Sequence, residues 1–143
     1  MNLEKSLNKA VGNLILFYVK LHNYHWFVKG KQFYRLHELF EEMYDEITET
    51  YDEVAERMLM LGMKPVATLK DSLAVATLKE ATGNESVKEM VASVLEDYKA
   101  LDANFKEILD FAGEADDDVT EDIMTSTRLT FQKHIWMLTE LLK

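Results

Sequence analysis

The sequence predicts an all-α fold, and three observations carry that prediction. One Pro and five Gly among 143 residues leave long stretches without a helix breaker. Across those stretches apolar residues recur at steps of three and four, the spacing of one helical face, rather than in the alternation of a strand. Finally, 48% of the residues are hydrophobic, and a chain of this size buries roughly 70% of its unfolded surface around one core, without disulfides or a structural zinc.

The first helix is expected from about Leu3 to Phe27, on Leu7, Val11, Leu14, Ile15, Tyr18, Leu21 and Tyr24, and stops at Val28-Lys29-Gly30-Lys31. The second runs from near Phe33 to Leu61 on Leu36, Phe40, Met43, Ile47, Tyr51, Val54 and Met58, with Gly62 as its terminating residue and Pro65 beyond. A short helix is expected around Thr68 to Ala76, inside a long connection. The third long helix spans about Glu85 to Ala112, closed by Gly113, and the acidic turn Glu114 to Asp118 leads into a fourth from Val119 to about Leu142. Short connections on either side force two antiparallel hairpins, while the roughly 20-residue connection between them can cross the length of the bundle. Four helices with one long crossover carrying a short helix is the ferritin-like four-helix bundle.

Composition excludes several chemistries. Without Cys there is no thiol catalysis, no Cys-ligated zinc and no iron–sulfur cluster. No apolar run approaches the roughly 20 residues of a membrane helix, and MNLEKSLNK is polar without a signal-peptide pattern. The expectation is a single domain over residues 1–143, soluble and cytoplasmic, with no membrane partner. Sixteen Lys and Arg against 26 Asp and Glu give a formal net charge of −10, which repels nucleic acid and disfavours DNA as a partner.

The four His are informative because His is the commonest transition-metal ligand. The first turn centres near residues 30 and 31, so an antiparallel hairpin brings His25 and His37 to the same level. His22 and His134 read as solvated or hydrogen-bonded imidazoles. The second helix is densely acidic, and most of its carboxylates read as a solvated face. Asp52 and Glu56, spaced i,i+4, project together and can clamp a cation. Asp52 lies 15 residues beyond His37, roughly 22 Å along a continuous helix at about 1.5 Å per residue, too far for one ion. If two subunits pair about a two-fold axis with their second helices antiparallel near Tyr44 to Ile47, His37 of one chain faces Asp52 and Glu56 of the other. Mixed N/O ligation with vacant positions suits Fe(II), and it also permits Zn or Mn.

Several segments together resemble one family. Leu21-His22-Asn23-Tyr24-His25-Trp26, Val28-Lys29-Gly30, Phe33-Tyr34-Arg35-Leu36-His37-Glu38, Tyr44-Asp45-Glu46 and Asp52-Glu53-Val54-Ala55-Glu56-Arg57 are similar to those of the Dps family, the mini-ferritins. Gly62-Met63-Lys64-Pro65, Asp117-Asp118-Val119-Thr120 and Lys133-His134-Ile135-Trp136-Met137 extend the likeness over nearly the whole chain. The resemblance implies a shell of twelve subunits, a ferroxidase site between two-fold-related subunits, hydrogen peroxide (or O2) as oxidant of Fe(II), and a stored Fe(III) mineral. It implies His25, His37, Asp52 and Glu56 as iron ligands, the set reached above. In much of the family the residue four beyond the second His is Asp, for which the resemblance implies an auxiliary role at a second iron; here it is Glu41, one methylene longer, a departure that leaves that role open. DNA-binding members carry a Lys/Arg-rich N-terminal extension, whereas here only Lys5 and Lys9 stand near Met1.

Trp26 reads as a large residue packed at a subunit interface, and the resemblance adds that it intercepts oxidising equivalents near the iron. Trp136 reads as packing, and the eight Met as gap-fillers. Asp117, Asp118 and Asp122 could line a negatively charged pore drawing Fe(II) inward, although Asp before a helix is also what capping favours. The function expected is protection against oxidative stress by iron oxidation and storage. Two other classes compete with it: a DNA-compacting protein with incidental iron binding, and a metal-free helical scaffold.

Overall fold

The computed structural model describes residues 1–143 as five helices: α1 (Leu3–Phe27), α2 (Phe33–Met60), α3 (Leu69–Val75), α4 (Val87–Glu114) and α5 (Asp118–Leu141). α1 pairs with α2 and α4 with α5 as antiparallel hairpins, and α1 also packs on α4. The core takes in most of the helical stripes read from the sequence, with Leu14, Tyr24, Phe40, Ile47, Tyr98 and Phe105 fully buried, and adds Phe17 and Met124, while Ile15, Tyr18 and Tyr51 are only partly buried. No helix is long and apolar enough to cross a membrane.

Local chemistry fixes the ends. Asn2 accepts the Lys5 amide to start α1. Gly62 takes φ +74, a left-handed conformation that ends α2 without a Cβ penalty. α4 begins two residues later than expected because Ser86 and Glu89 form a reciprocal capping box. Its end corrects the sequence reading: Gly113 lies inside the helix, and the chain turns at Asp116 (φ 55) instead.

The crossover is fastened to the bundle at three points. α3 lies so close to α1 that a Cβ on Gly12 would stand 2.5 Å from Val75 Cγ2 and 2.6 Å from the Ser72 carbonyl oxygen. Asn13 accepts the amides of Thr77 and Leu78 at 2.7 and 3.0 Å. Lys20 reaches the Lys79 carbonyl and the Asp97 carboxylate, both at 2.8 Å. Burial pushes the Asp97 carboxyl above its usual range, and Lys20 opposes that shift.

Candidate metal centre

The α1–α2 turn brings His25 and His37 face to face, with ring centroids 3.7 Å apart and planes 12° from parallel. Each imidazole bonds the backbone of the other's residue: His25 Nδ1 to the His37 carbonyl at 2.6 Å, and His37 Nδ1 to the His25 carbonyl at 2.7 Å. A carbonyl can only accept, so both rings carry a proton on Nδ1, and in the neutral imidazole the lone pair is then on Nε2. That is the tautomer a metal-ligating His adopts when its other nitrogen is anchored. Phe33 stacks on the outer side of His37 at 5.0 Å, and His25 is itself buried. Both imidazoles are therefore held before any ion arrives.

Glu41 is one helical turn beyond His37, and its Oε1 lies 4.0 Å from His25 Nε2. The same oxygen accepts from the Tyr44 hydroxyl at 3.4 Å. Asp52 and Glu56 are exposed about three and four turns beyond Glu41 on α2. They face each other, and the Asp52 carboxylate, by accepting a hydrogen bond from the protonated Glu56 carboxyl and then by its like charge, raises that carboxyl above its ordinary value. Within one chain no three His or carboxylate groups converge on a common point. His25 and His37 meet, Asp52 and Glu56 meet, and the two pairs stay apart on α2.

The remaining residues singled out from the sequence fall elsewhere. Trp26 is 64% exposed, its ring 5.3 Å from His22, and Trp136 is exposed on α5. Asp117 caps α5 by accepting the Thr120 amide at 3.0 Å, and its Oδ1 pairs with Arg57 at 2.8 Å. Burial would raise this carboxyl, but the bonds from Thr120 and Arg57 outweigh it and hold it below its usual range. Asp118 and Asp122 are exposed, one turn apart. His134 donates Nε2–H to Glu46 at 2.6 Å and stacks on Tyr98.

Sequence reading passed over Tyr44 and left His22 as an isolated imidazole. In the structure their rings stack at 3.7 Å and 17°. Spacing alone did not show the pair: the hairpin level that aligns His25 with His37 sets His22 opposite Phe40, and Tyr44 reaches His22 from one turn further along α2.

A sequence profile of the ferritin-like domain matches residues 4–143, so the class of protein defined by the fold is ferritin-like. Among similar proteins, the DNA protection during starvation protein of Brevibacillus brevis is 48% identical over 132 residues, covering 92% of this chain and 89% of that one. General stress protein 20U of Bacillus subtilis is 46% identical over 136 residues, covering 95% and 94%. The crystal structure of a Dps protein from Bacillus brevis superposes with a TM-score of 0.96 at 46% identity, covering 99% of this chain and 95% of that one. The chain belongs to the Dps family of ferritin-like proteins, the iron-storing mini-ferritins.

Proposed function

We propose that this protein is a ferroxidase that detoxifies and stores iron, and that its site is assembled from two subunits. His25 and His37 supply two imidazole nitrogens, and the partner subunit's Asp52 and Glu56 supply carboxylate oxygens. The observation that carries this reading is the reciprocal anchoring of the two Nδ1–H groups, which leaves both Nε2 lone pairs free with no carboxylate pair of the same chain to meet them. Exposed Trp26, Phe27, Tyr34, Leu129 and Trp136 support burial against further copies, and we propose a dodecameric shell in the cytoplasm. Iron is the substrate, and Zn or Mn would fit the same donors.

The reaction consumes two Fe(II) per peroxide: 2 Fe(II) + H2O2 + 2 H⁺ gives 2 Fe(III) + 2 H2O. Both electrons needed to cleave the O–O bond come from iron, so no hydroxyl radical is released. The protein contributes proximity, ligand charge and fixed imidazoles. Fe(III) then hydrolyses and accumulates inside the acidic shell. The net charge of −10 per chain favours this reading over DNA compaction.

Mixing two inactive variants tests the shared site. His37→Ala and Asp52→Ala each remove a ligand from both sites of a two-fold pair, so each alone loses rapid peroxide-driven oxidation. When they are unfolded together and reassembled, about half the pairs are mixed and one site of each mixed pair is intact. About a quarter of all sites should then recover. Mixed shells that oxidise Fe(II) no faster than the parent variants would refute an intersubunit site.

A further inference from the structure

Four side chains form a square across the α1–α2 hairpin: His22 and His25 one turn apart on α1, Glu41 and Tyr44 one turn apart on α2. His22 is fixed by donating its Nδ1–H to the Tyr18 carbonyl at 2.9 Å. The Tyr44 ring lies flat on His22 at 3.7 Å, and its edge contacts Tyr18 at 5.9 Å and His25 at 5.4 Å. With the ring held on three sides, its hydroxyl is delivered to Glu41 Oε1 at 3.4 Å. A phenol O–H paired with a carboxylate is the donor of that bond. Tyr44 is the sole group donating to Glu41, whose side chain is otherwise 54% exposed. At 3.4 Å the bond is longer than a closed hydroxyl–carboxylate contact, so Glu41 is tethered rather than locked.

The tether has a direction. The oxygen that accepts from Tyr44 is also the one 4.0 Å from His25 Nε2. Two donors binding one transition-metal ion at about 2.0–2.2 Å each stand at most roughly 4.4 Å apart, so one ion can bridge them with little movement. We propose that Tyr44, clamped by His22, is a positioning residue that aims the Glu41 carboxylate at His25 and so makes Glu41 a ligand of the ion His25 binds. The extra methylene of Glu41 gives the reach, and the phenol removes the freedom that comes with it.

This inference rests on the proposed function, and the test separates the two. Assembled shells are titrated anaerobically with Co(II), which reports its ligands through its visible absorption and is not oxidised during the measurement. The step of interest is the one abolished by His25→Ala. Tyr44→Phe keeps the stack on His22 and loses only the hydroxyl. It should weaken that step about tenfold, in the range of outer-shell partners, and shift the Co(II) spectrum to that of Glu41→Gln. In the Glu41→Gln background Tyr44→Phe should add nothing. His22→Phe, which keeps a flat face under Tyr44, should retain binding that His22→Ala loses. Unchanged affinity and spectrum in Tyr44→Phe, or an equal loss in the Glu41→Gln background, would overturn the role of Tyr44 and leave the shared site standing. If no Co(II) step in the wild-type shell depends on His25, the proposed function fails and this inference with it.

Discussion

Two histidine environments in this bundle have similar components and opposite wiring. At the α1–α2 turn, His25 and His37 engage Nδ1 with backbone carbonyls and leave Nε2 free. Between α2 and α5, His134 engages Nε2 with Glu46 at 2.6 Å while its ring packs on Tyr98. The first pair can receive an ion; the second is a strut joining two helices. Proximity of His to Glu therefore does not distinguish a ligand from a brace, but the nitrogen already in use does. The carboxylates divide the same way. Glu85 accepts from the Tyr24 hydroxyl, the Thr82 amide and hydroxyl and the Gly83 amide, whereas Asp52 and Glu56 face only each other.

The largest expected effect tests the wiring directly. His37→Ala should slow peroxide-driven Fe(II) oxidation by about 100-fold or more, because it removes a ligand as well as the ring that stacks on His25 at 3.7 Å, although the carbonyl of residue 37 that accepts from His25 remains. His134→Ala should leave the rate within about twofold while lowering Tm by about 3–6 °C, the loss of one hydrogen bond to a charged group and a ring contact. Stopped-flow oxidation and thermal unfolding on the same shells check both. An intact His134→Ala shell with oxidation as slow as His37→Ala would break the distinction.

Most of the fold was legible in the sequence because each boundary has a local cause. The stripe from Leu7 to Tyr24 set α1, and its span was read as Leu3–Phe27, as found. Gly62 ended α2 for the conformational reason its position suggested. Gly113 misled because a glycine near a helix end also fits within the helix, and the turn was made by Asp116, one of the few non-glycine residue types that tolerate positive φ. At the candidate site, the alignment of His25 with His37 followed from hairpin symmetry alone. The bonds from Nδ1, the Tyr44 tether and the Glu46–His134 pair did not, since they depend on rotamers and interhelical distances that residue spacing leaves free. Asp117 shows the same limit. Its position before α5 indicated a cap or a pore, and only the Arg57 contact from another helix shows it engaged within the chain.

A second test concerns a carboxylate that is fully engaged. Burial would raise Glu85, yet the bonds from Tyr24 and Thr82 outweigh it and lower its pKa to about 2. A folded-state value below the unfolded one means that the stabilisation is complete above pH about 4.5 and is lost as pH falls from there toward about 2. Hydrogen-exchange protection of the Thr82 and Gly83 amides should therefore persist from pH 7 to 5 and decline below. Glu85→Gln should cost about 1–2 kcal/mol at neutral pH, with a gap from wild type that narrows in acid. A gap independent of pH would mean that the carboxylate charge is not what holds the loop.

Smaller still is the difference among the acidic residues at the start of α5. We expect Asp122→Asn together with Asp118→Asn to slow Fe(II) uptake about two- to fivefold at low ionic strength, with the defect fading above about 0.15 M salt as screening shortens the reach of the field. Asp117→Asn should instead destabilise the α5 cap by about 1 kcal/mol and leave uptake unaltered once shells are assembled. Initial uptake rates across a salt series distinguish them, and a salt-independent defect in the double variant would argue for a structural cause.

The smallest effect is expected where an unengaged group has nothing it could receive. The Tyr98 side chain is fully buried among Phe17, Phe131 and His134, and no protein group pairs with its hydroxyl. Burial also pushes its phenol well above the ordinary value, so it remains neutral. Unlike the Nε2 atoms of His25 and His37, to which the proposed function assigns an ion, this hydroxyl is a desolvated donor in a packed core. Removing an unpaired buried polar atom while keeping the ring is neutral or favourable. Tyr98→Phe should therefore leave Tm unchanged or raise it by up to about 3 °C, with oxidation and uptake as in wild type. A fall of more than about 3 °C would show that the hydroxyl has a partner in solution and belongs with the engaged groups. An oxidation defect without loss of stability would be more consequential, because it would connect the Tyr98–His134–Glu46 stack to the iron chemistry and remove the contrast between the two histidine environments.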